Sequence, residues 1–216
     1  MIKAIIFDFD GVILESASIK TEAFGEVVAG YPREQADAFV AYHLSHMGIS
    51  RHVKFRHFIE EILKEPYTEE KESELAEAFE RIVYGRVMAC PFVPGAEEFL
   101  KRNYQKYDFY IASGTPDREM NSIVDGRGLR EYFKGVYGTP RKKPEIIRSV
   151  LDDFGYARNE VVFVGDAGTD LDAAAETGLA FIGRNTPENT ETFRGLPYRV
   201  DSLMQIEGII GEIEKA

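Results

Sequence analysis

The chain has 216 residues, enough to bury a large core as one domain carrying an insertion or as two small domains. Its formal net charge of −11 argues against nucleic acid and anionic membranes as partners, while a local basic pocket can still hold an anionic small molecule. A single cysteine, Cys90, excludes an intrachain disulfide; with no signal-type N-terminus and no apolar run of membrane-spanning length, the expected location is the cytoplasm.

Residues 2–8 read as a buried strand, from the run Ala4-Ile5-Ile6-Phe7. It ends in Asp8-Phe9-Asp10-Gly11, two carboxylates one residue apart. Carboxylates at the exit of a core strand need compensation, and a hard cation such as Mg²⁺ supplies it. Extended backbone sends residues i and i+2 to one face, so Asp8 and Asp10 are expected to share a site while Phe9 packs away from it. An Asp-x-Asp-Gly stretch is also an ordinary polar turn. The pair alone leaves both readings open.

Residues 16–89 read as helical. Apolar residues recur at helical spacing in Ala23-Phe24 with Val27-Val28, in Ala36, Phe39, Val40 and Leu44, and in Phe55, Phe58, Ile59, Ile62 and Leu63. Gly48 and Pro66 mark breaks, and Thr68 is the expected N-cap of a long helix, without a complete capping box because Lys71 stands at its third position. After Pro91 the pattern changes. A short helix is expected to end near Arg102, followed by a strand over 107–112 and a helix opened by Pro116. A weak strand over 134–137, a helix over 144–154 and a strong buried strand over 161–164 come next. A helix through Ala173-Ala174-Ala175, a short strand over 179–182, an edge strand at 198–200 and a last helix capped by Ser202 complete the chain. Alternation of this kind implies a parallel sheet with helices on its faces. The expected fold is α/β: a doubly wound, Rossmann-like core, residues 1–15 and 90–216, with an α-helical cap at 16–89.

In such sheets ligands bind beyond the carboxyl ends of the strands. Those ends carry Asp8 and Asp10; Ser113-Gly114-Thr115; Arg141-Lys142-Lys143-Pro144; and Gly165-Asp166-Ala167-Gly168-Thr169-Asp170. Two carboxylate pairs, a hydroxyl beside glycine and a lysine suit phosphoryl transfer.

In order and spacing these four motifs resemble the haloacid dehalogenase superfamily, in its phosphoglycolate phosphatase and β-phosphoglucomutase-like branch. The resemblance implies Mg²⁺-dependent hydrolysis of a small phosphomonoester. Asp8 is then the nucleophile that forms an aspartyl-phosphate, and Asp10 the general acid/base, its backbone carbonyl a metal ligand. Ser113 and the Gly114 amide hold phosphoryl oxygens, and Lys143 neutralises charge between Asp8 and the phosphate, with Lys142 the alternative. Asp166 binds the metal directly, while Asp170 binds through water or orients the ligands. The presence of Asp10 favours ester cleavage over dehalogenation, since a leaving halide needs no proton.

All four histidines, His43, His46, His52 and His57, lie in one locally basic stretch with Arg51, Lys54 and Arg56. Gly48-Ile49-Ser50-Arg51 resembles the family's substrate-specificity loop. Arg51 is the expected contact to the leaving group, with His46 and Lys54 behind it, and the substrate is expected to carry a second polar or anionic group. A solvated helix face is the alternative for each. The chain departs from the family pattern at Lys20 (often histidine), Met47 (lysine in the mutases), Gly114 (often asparagine), Ile146 (proline) and Ala167 (often serine). A sugar phosphomutase and a non-catalytic binding module of the same fold are the competing functions. The substrate's identity and the oligomeric state stay open.

Overall fold

The structure is a computed structural model and describes residues 1–215. Six strands form one sheet in the order β3-β2-β1-β4-β5-β6: β1 (Ala4–Phe7), β2 (Asp108–Pro116), β3 (Phe133–Thr139), β4 (Val161–Gly165), β5 (Ala180–Arg184) and β6 (Arg199–Val200). Every pairing is parallel, so the strands share one carboxyl edge. The order reverses beside β1, which lies between β2 and β4. Phe7 is level with Ile111 and Val164, so Asp8 leaves β1 at the level of Ala112 and Gly165 in the neighbouring strands.

Side chains of β1 alternate between two apolar layers. Ile5 and Phe7 pack with Phe99 and Leu100 of α5 (Ala96–Asn103) and with Met120 and Ile123 of α6 (Asp117–Gly126). Ala4 and Ile6 pack with Ile146 and Val150 of α7 (Lys143–Phe154) and with Ala173 of α8 (Gly168–Thr177). The alternation continues past the strand end. Phe9 buries in the first layer, and Asp8 emerges on the side where α7 and α8 begin.

Between β1 and β2 stand α1 (Ala17–Val27), α2 (Arg33–Ser45), α3 (Arg51–His57), a wider π turn over Phe58–Ile62, and α4 (Glu69–Ala89). Phe24 holds them together, with Phe39, Phe55 and Phe79 at ring-centroid distances of 5.6, 5.5 and 4.3 Å. Thr68 caps α4, its hydroxyl accepting from the Lys71 amide at 3.3 Å. The two chain segments that enter and leave this helical insertion touch: Glu15 N donates to Pro91 O at 3.0 Å, and Leu14 bridges to Phe92. Arg127 fixes the exit, its Nη1 donating to the carbonyls of Val87, Met88 and Cys90 at 3.2, 3.1 and 2.7 Å. These carbonyls lie at the end of α4, where the helix supplies no amide to them, and Val87 O also accepts from Cys90 Sγ at 3.3 Å. Cys90 is buried there.

Differences from the sequence reading lie at element ends. β2 runs through Ser113 to Pro116, because the motif stays extended alongside β3, where Pro116 pairs with Thr139. Pro116 is therefore the last strand residue and the N-cap of α6 rather than its first helical residue. The weak strand is longer, reaching Thr139. Ser202 caps a short 3₁₀ turn that leads into α9 (Ile206–Ile213). Among the described residues no helix is long and apolar enough to cross a membrane.

Candidate active site

Asp8 is buried at the exit of β1. Its Oδ1 accepts from the Phe9 amide at 2.7 Å, and its Oδ2 lies 3.0 Å from Lys143 Nζ. Lys143 opens α7 and reaches Asp170 Oδ1 at 2.5 Å, and Asp170 Oδ2 accepts from the Ala167 amide at 3.0 Å. Lys142 stays at the exposed N-cap of the same helix. Asp8, Asp166 and Asp170 each present a carboxylate oxygen, all within 4.8 Å of one another. Two of these buried carboxylates, Asp8 and Asp170, contact one ammonium, and Asp166 lies beside them. Burial, followed by the Asp8 and Asp170 charges, raises Asp166 well above the usual carboxylate range. Burial also lifts Asp8 to about 7 against the pull of Lys143. Lys143 is held above its ordinary value, because Asp170 and Asp8 outweigh its burial. Asp166 Oδ2 is buried with no hydrogen-bond partner. An orphaned oxygen among hard, crowded carboxylates is what a divalent cation satisfies. Gly11, at φ +78°, keeps that space open, since a Cβ there would collide with Asp166 Oδ2.

Asp10 faces the same cavity but belongs to a different set of contacts. Ser16 Oγ donates to its Oδ1 at 2.6 Å; Lys20 Nζ and Thr115 Oγ1, the latter at 3.1 Å, donate to its Oδ2. Burial raises Asp10, but the Lys20 ammonium and these hydroxyls outweigh it and leave its carboxyl below the usual range. Lys20 thus holds Asp10 the more acidic of the two aspartates, and its carboxylate is not in the three-oxygen cluster.

Gly114 and Thr115 line the cavity, while the buried Ser113 hydroxyl accepts from the Thr115 amide at 3.1 Å. From above, the loop over Met47–Ile49 closes on this edge. Met47 O accepts from Thr169 Oγ1 at 2.7 Å. A Cβ at Gly114 would lie 2.5 Å from Gly48 O, so the glycine in place of the family's asparagine is what admits the loop so close.

The basic stretch divides. Lys54 lines the cavity, with Nζ 2.8 Å from His43 Nδ1 and 5.0 Å from the Phe24 ring centroid. Burial, with Lys20 and Lys143 nearby, lowers Lys54 to about 7. His43 is lowered to about 3 by burial and by Lys54. It is therefore neutral: Nδ1 accepts from Lys54, and Nε2–H donates to Thr21 Oγ1 at 2.9 Å. Arg51 also lines the cavity, but Glu119 Oε2 lies 2.6 Å and Glu80 Oε2 3.3 Å from its Nη2. His46 is not brought to the cavity. It stacks on Tyr42 at 4.2 Å and shares Nδ1 with Tyr42 O and Ser45 Oγ, local partners at the end of α2. Sequence reasoning did not single out Thr115, His43 or Glu119 as site residues, and it noted Lys20 only as a departure. Lys20 carried a signal, a cation where the family has a titratable base; Glu119 carried none, since an acid in the first turn of a helix is expected from the helix dipole alone.

The family model for haloacid dehalogenase-like hydrolases matches residues 2–178. The chain is 24% identical to enolase-phosphatase E1 of Persephonella marina, over 95% of this chain and 99% of that one. It is 25% identical to phosphoglycolate phosphatase 1 of Pseudomonas aeruginosa, over 82% of this chain and 67% of that one. The fold superposes on β-phosphoglucomutase of Clostridium difficile with a TM-score of 0.77 at 20% identity, covering 100% of this chain and 98% of that one.

Proposed function

The chain belongs to the haloacid dehalogenase-like hydrolase family, and from that membership we propose that it hydrolyses a small phosphomonoester with Mg²⁺ through an aspartyl-phosphate. The observation that carries this reading is the meeting of Asp8, Lys143, Asp166 and Asp170 at one strand edge, with Asp10 beside them in the same cavity. Phosphatase names among the relatives support it.

Asp8, Asp166, Asp170 and the backbone carbonyl of Asp10 would hold the metal. When bound, it supplies positive charge against the anionic phosphate and keeps Asp8 ionised. The Asp8 carboxylate attacks phosphorus, the P–O bond to the leaving group breaks, and Lys143 balances the charge on the nucleophile's side. The leaving oxygen takes its proton from the Lys20–Asp10 pair, in which the ammonium is hydrogen-bonded to the carboxylate. Water then attacks the aspartyl-phosphate, Asp10 takes its proton, and inorganic phosphate leaves with Asp8 restored. Gly114 offers its amide to phosphoryl oxygens, with Ser113 behind it, and Lys54 contacts the leaving group from the helical insertion, the family's cap.

The test is phosphate release from p-nitrophenyl phosphate with Mg²⁺. Turnover is expected in the wild type and a loss of at least about a thousandfold in Asp8→Asn. Wild-type turnover in the variant would overturn the mechanism. Interconversion of sugar phosphate isomers without free phosphate would identify a mutase, and inertness toward every ester a binding module.

A further inference from the structure

Arg51 and Glu119 stand at the outer end of the cavity. Both line the inner pocket that holds Asp8 and Asp10, and both line a neighbouring surface groove of about 620 Å³. A leaving group that extends from the inner pocket into this groove passes between or against them. Both residues are more than nine-tenths buried, at 7% and 6% exposure. Their hydrogen-bonding capacity is not used up. Neither carboxylate oxygen of Glu119 has a hydrogen-bond partner despite the 2.6 Å approach to Arg51, and Arg51 Nε has none either. Buried polar groups left in this condition are costly unless a ligand completes them.

The charges decide which ligand. Arg51 is paired with two carboxylates, Glu119 and Glu80, and the groove's other full charges, Arg118 and Glu77, offset one another, so this end of the site is net negative. A carboxylate or second phosphate on the leaving group would satisfy Arg51 but would lie against Glu119. A hydroxyl satisfies both, donating to a Glu119 oxygen while accepting from Arg51 Nε–H. Lys54 favours an anionic oxygen, but it lines the inner cavity and not the groove that Arg51 and Glu119 share.

We infer that Arg51 and Glu119 form a hydroxyl-binding subsite, with Glu119 the specificity determinant, and that the substrate is the monophosphate of a sugar or sugar alcohol rather than of a carboxylic acid. The inference rests on the phosphatase reading. It narrows the second polar or anionic group expected from the sequence to the neutral, hydroxylated kind.

The experiment compares kcat/KM with Mg²⁺ for hexose phosphates and glycerol phosphate against phosphoglycolate and phosphoglycerate. In the wild type the best polyol phosphate is expected to exceed both acids by about tenfold or more, the scale of one hydrogen bond to a charged group. Glu119→Gln, which removes the charge and one acceptor, is expected to bring that ratio down about tenfold, through a higher KM for the polyol and a lower one for the acids. Glu119→Asp keeps the charge and is expected to go on rejecting the acids. A wild type that prefers the acids overturns the subsite, whether or not a variant folds. So does an unchanged ratio in a Glu119→Gln protein with a native circular dichroism spectrum. Absence of turnover on every ester, p-nitrophenyl phosphate included, overturns the phosphatase reading itself and the subsite with it.

Discussion

His43 is a buried imidazole between a hydroxyl and an ammonium, and its neutrality has a thermodynamic signature. In the fold its pKa is lowered to about 3, from 6.5 in an exposed chain. Between those values the unfolded chain binds a proton that the folded one refuses. The contribution is fully present above pH 6.5 and is lost as pH falls toward 3, at up to about 1.4 kcal/mol per pH unit. Chemical denaturation across pH 4–7 is expected to give a shallower slope for His43→Asn than for the wild type, by up to about one proton. Equal slopes would mean that His43 charges within the fold. At this scale the sequence was legible where chemistry interrupted a hydrophobic pattern. Asp8 and Asp166 each close an apolar strand, and Lys143 directly precedes a proline. His43 was one of four clustered histidines, and only the fold separates it from His46: one is enclosed by Phe24 and Lys54, the other stacks on Tyr42. Glu119 required knowledge of which helix faces the insertion, and no local pattern carries that.

Among the elements, the loop over Met47–Ile49 and the end of β2 meet backbone to backbone. Gly48 has φ +81°, and its carbonyl lies so near Gly114 that an added Cβ would come within 2.5 Å of it. Restoring the family's residue with Gly114→Asn is therefore expected to push the loop outward and lower kcat/KM by about tenfold to a hundredfold, the cost of displacing a positioned contact by about 1 Å. Stopped-flow or steady-state kinetics on any accepted ester reads this. Unchanged kinetics would show that the loop yields without consequence. The order of elements was legible because strand and helix periods alternate along the chain. Their ends were not. β2 outruns its apolar stretch because Ser113 to Pro116 follow a neighbouring strand, a long-range pairing that propensity does not encode.

For the whole molecule, the concentration of buried negative charge at one edge makes stability responsive to a cation. Three carboxylates about one ammonium repel one another in the folded state and not in the unfolded chain. A Mg²⁺ concentration about a hundredfold above Kd is expected to stabilise the fold by about 2.7 kcal/mol, or roughly 5–10 °C in Tm for a chain of this size. Asp166→Asn is expected to abolish that shift while itself melting no lower than the cation-free wild type. A shift retained in the variant would place the cation elsewhere. The net charge of −11 is otherwise spread over a surface rich in i,i+4 ion pairs, worth little individually.

The join between insertion and sheet has a consequence for descent. Chain enters and leaves the helices at a single point, where Leu14 bridges Phe92 and Arg127 fastens the return. Lengthening, shortening or resculpting residues 16–89 therefore leaves the register of β1 with β2 and β4 untouched. Four charged groups at the strand edge, Asp8, Lys143, Asp166 and Asp170, lie outside that stretch, while Lys20, Arg51 and Lys54 lie within it. Lineages sharing this plan can rework what lies between two adjoining stitches and keep those four groups in place.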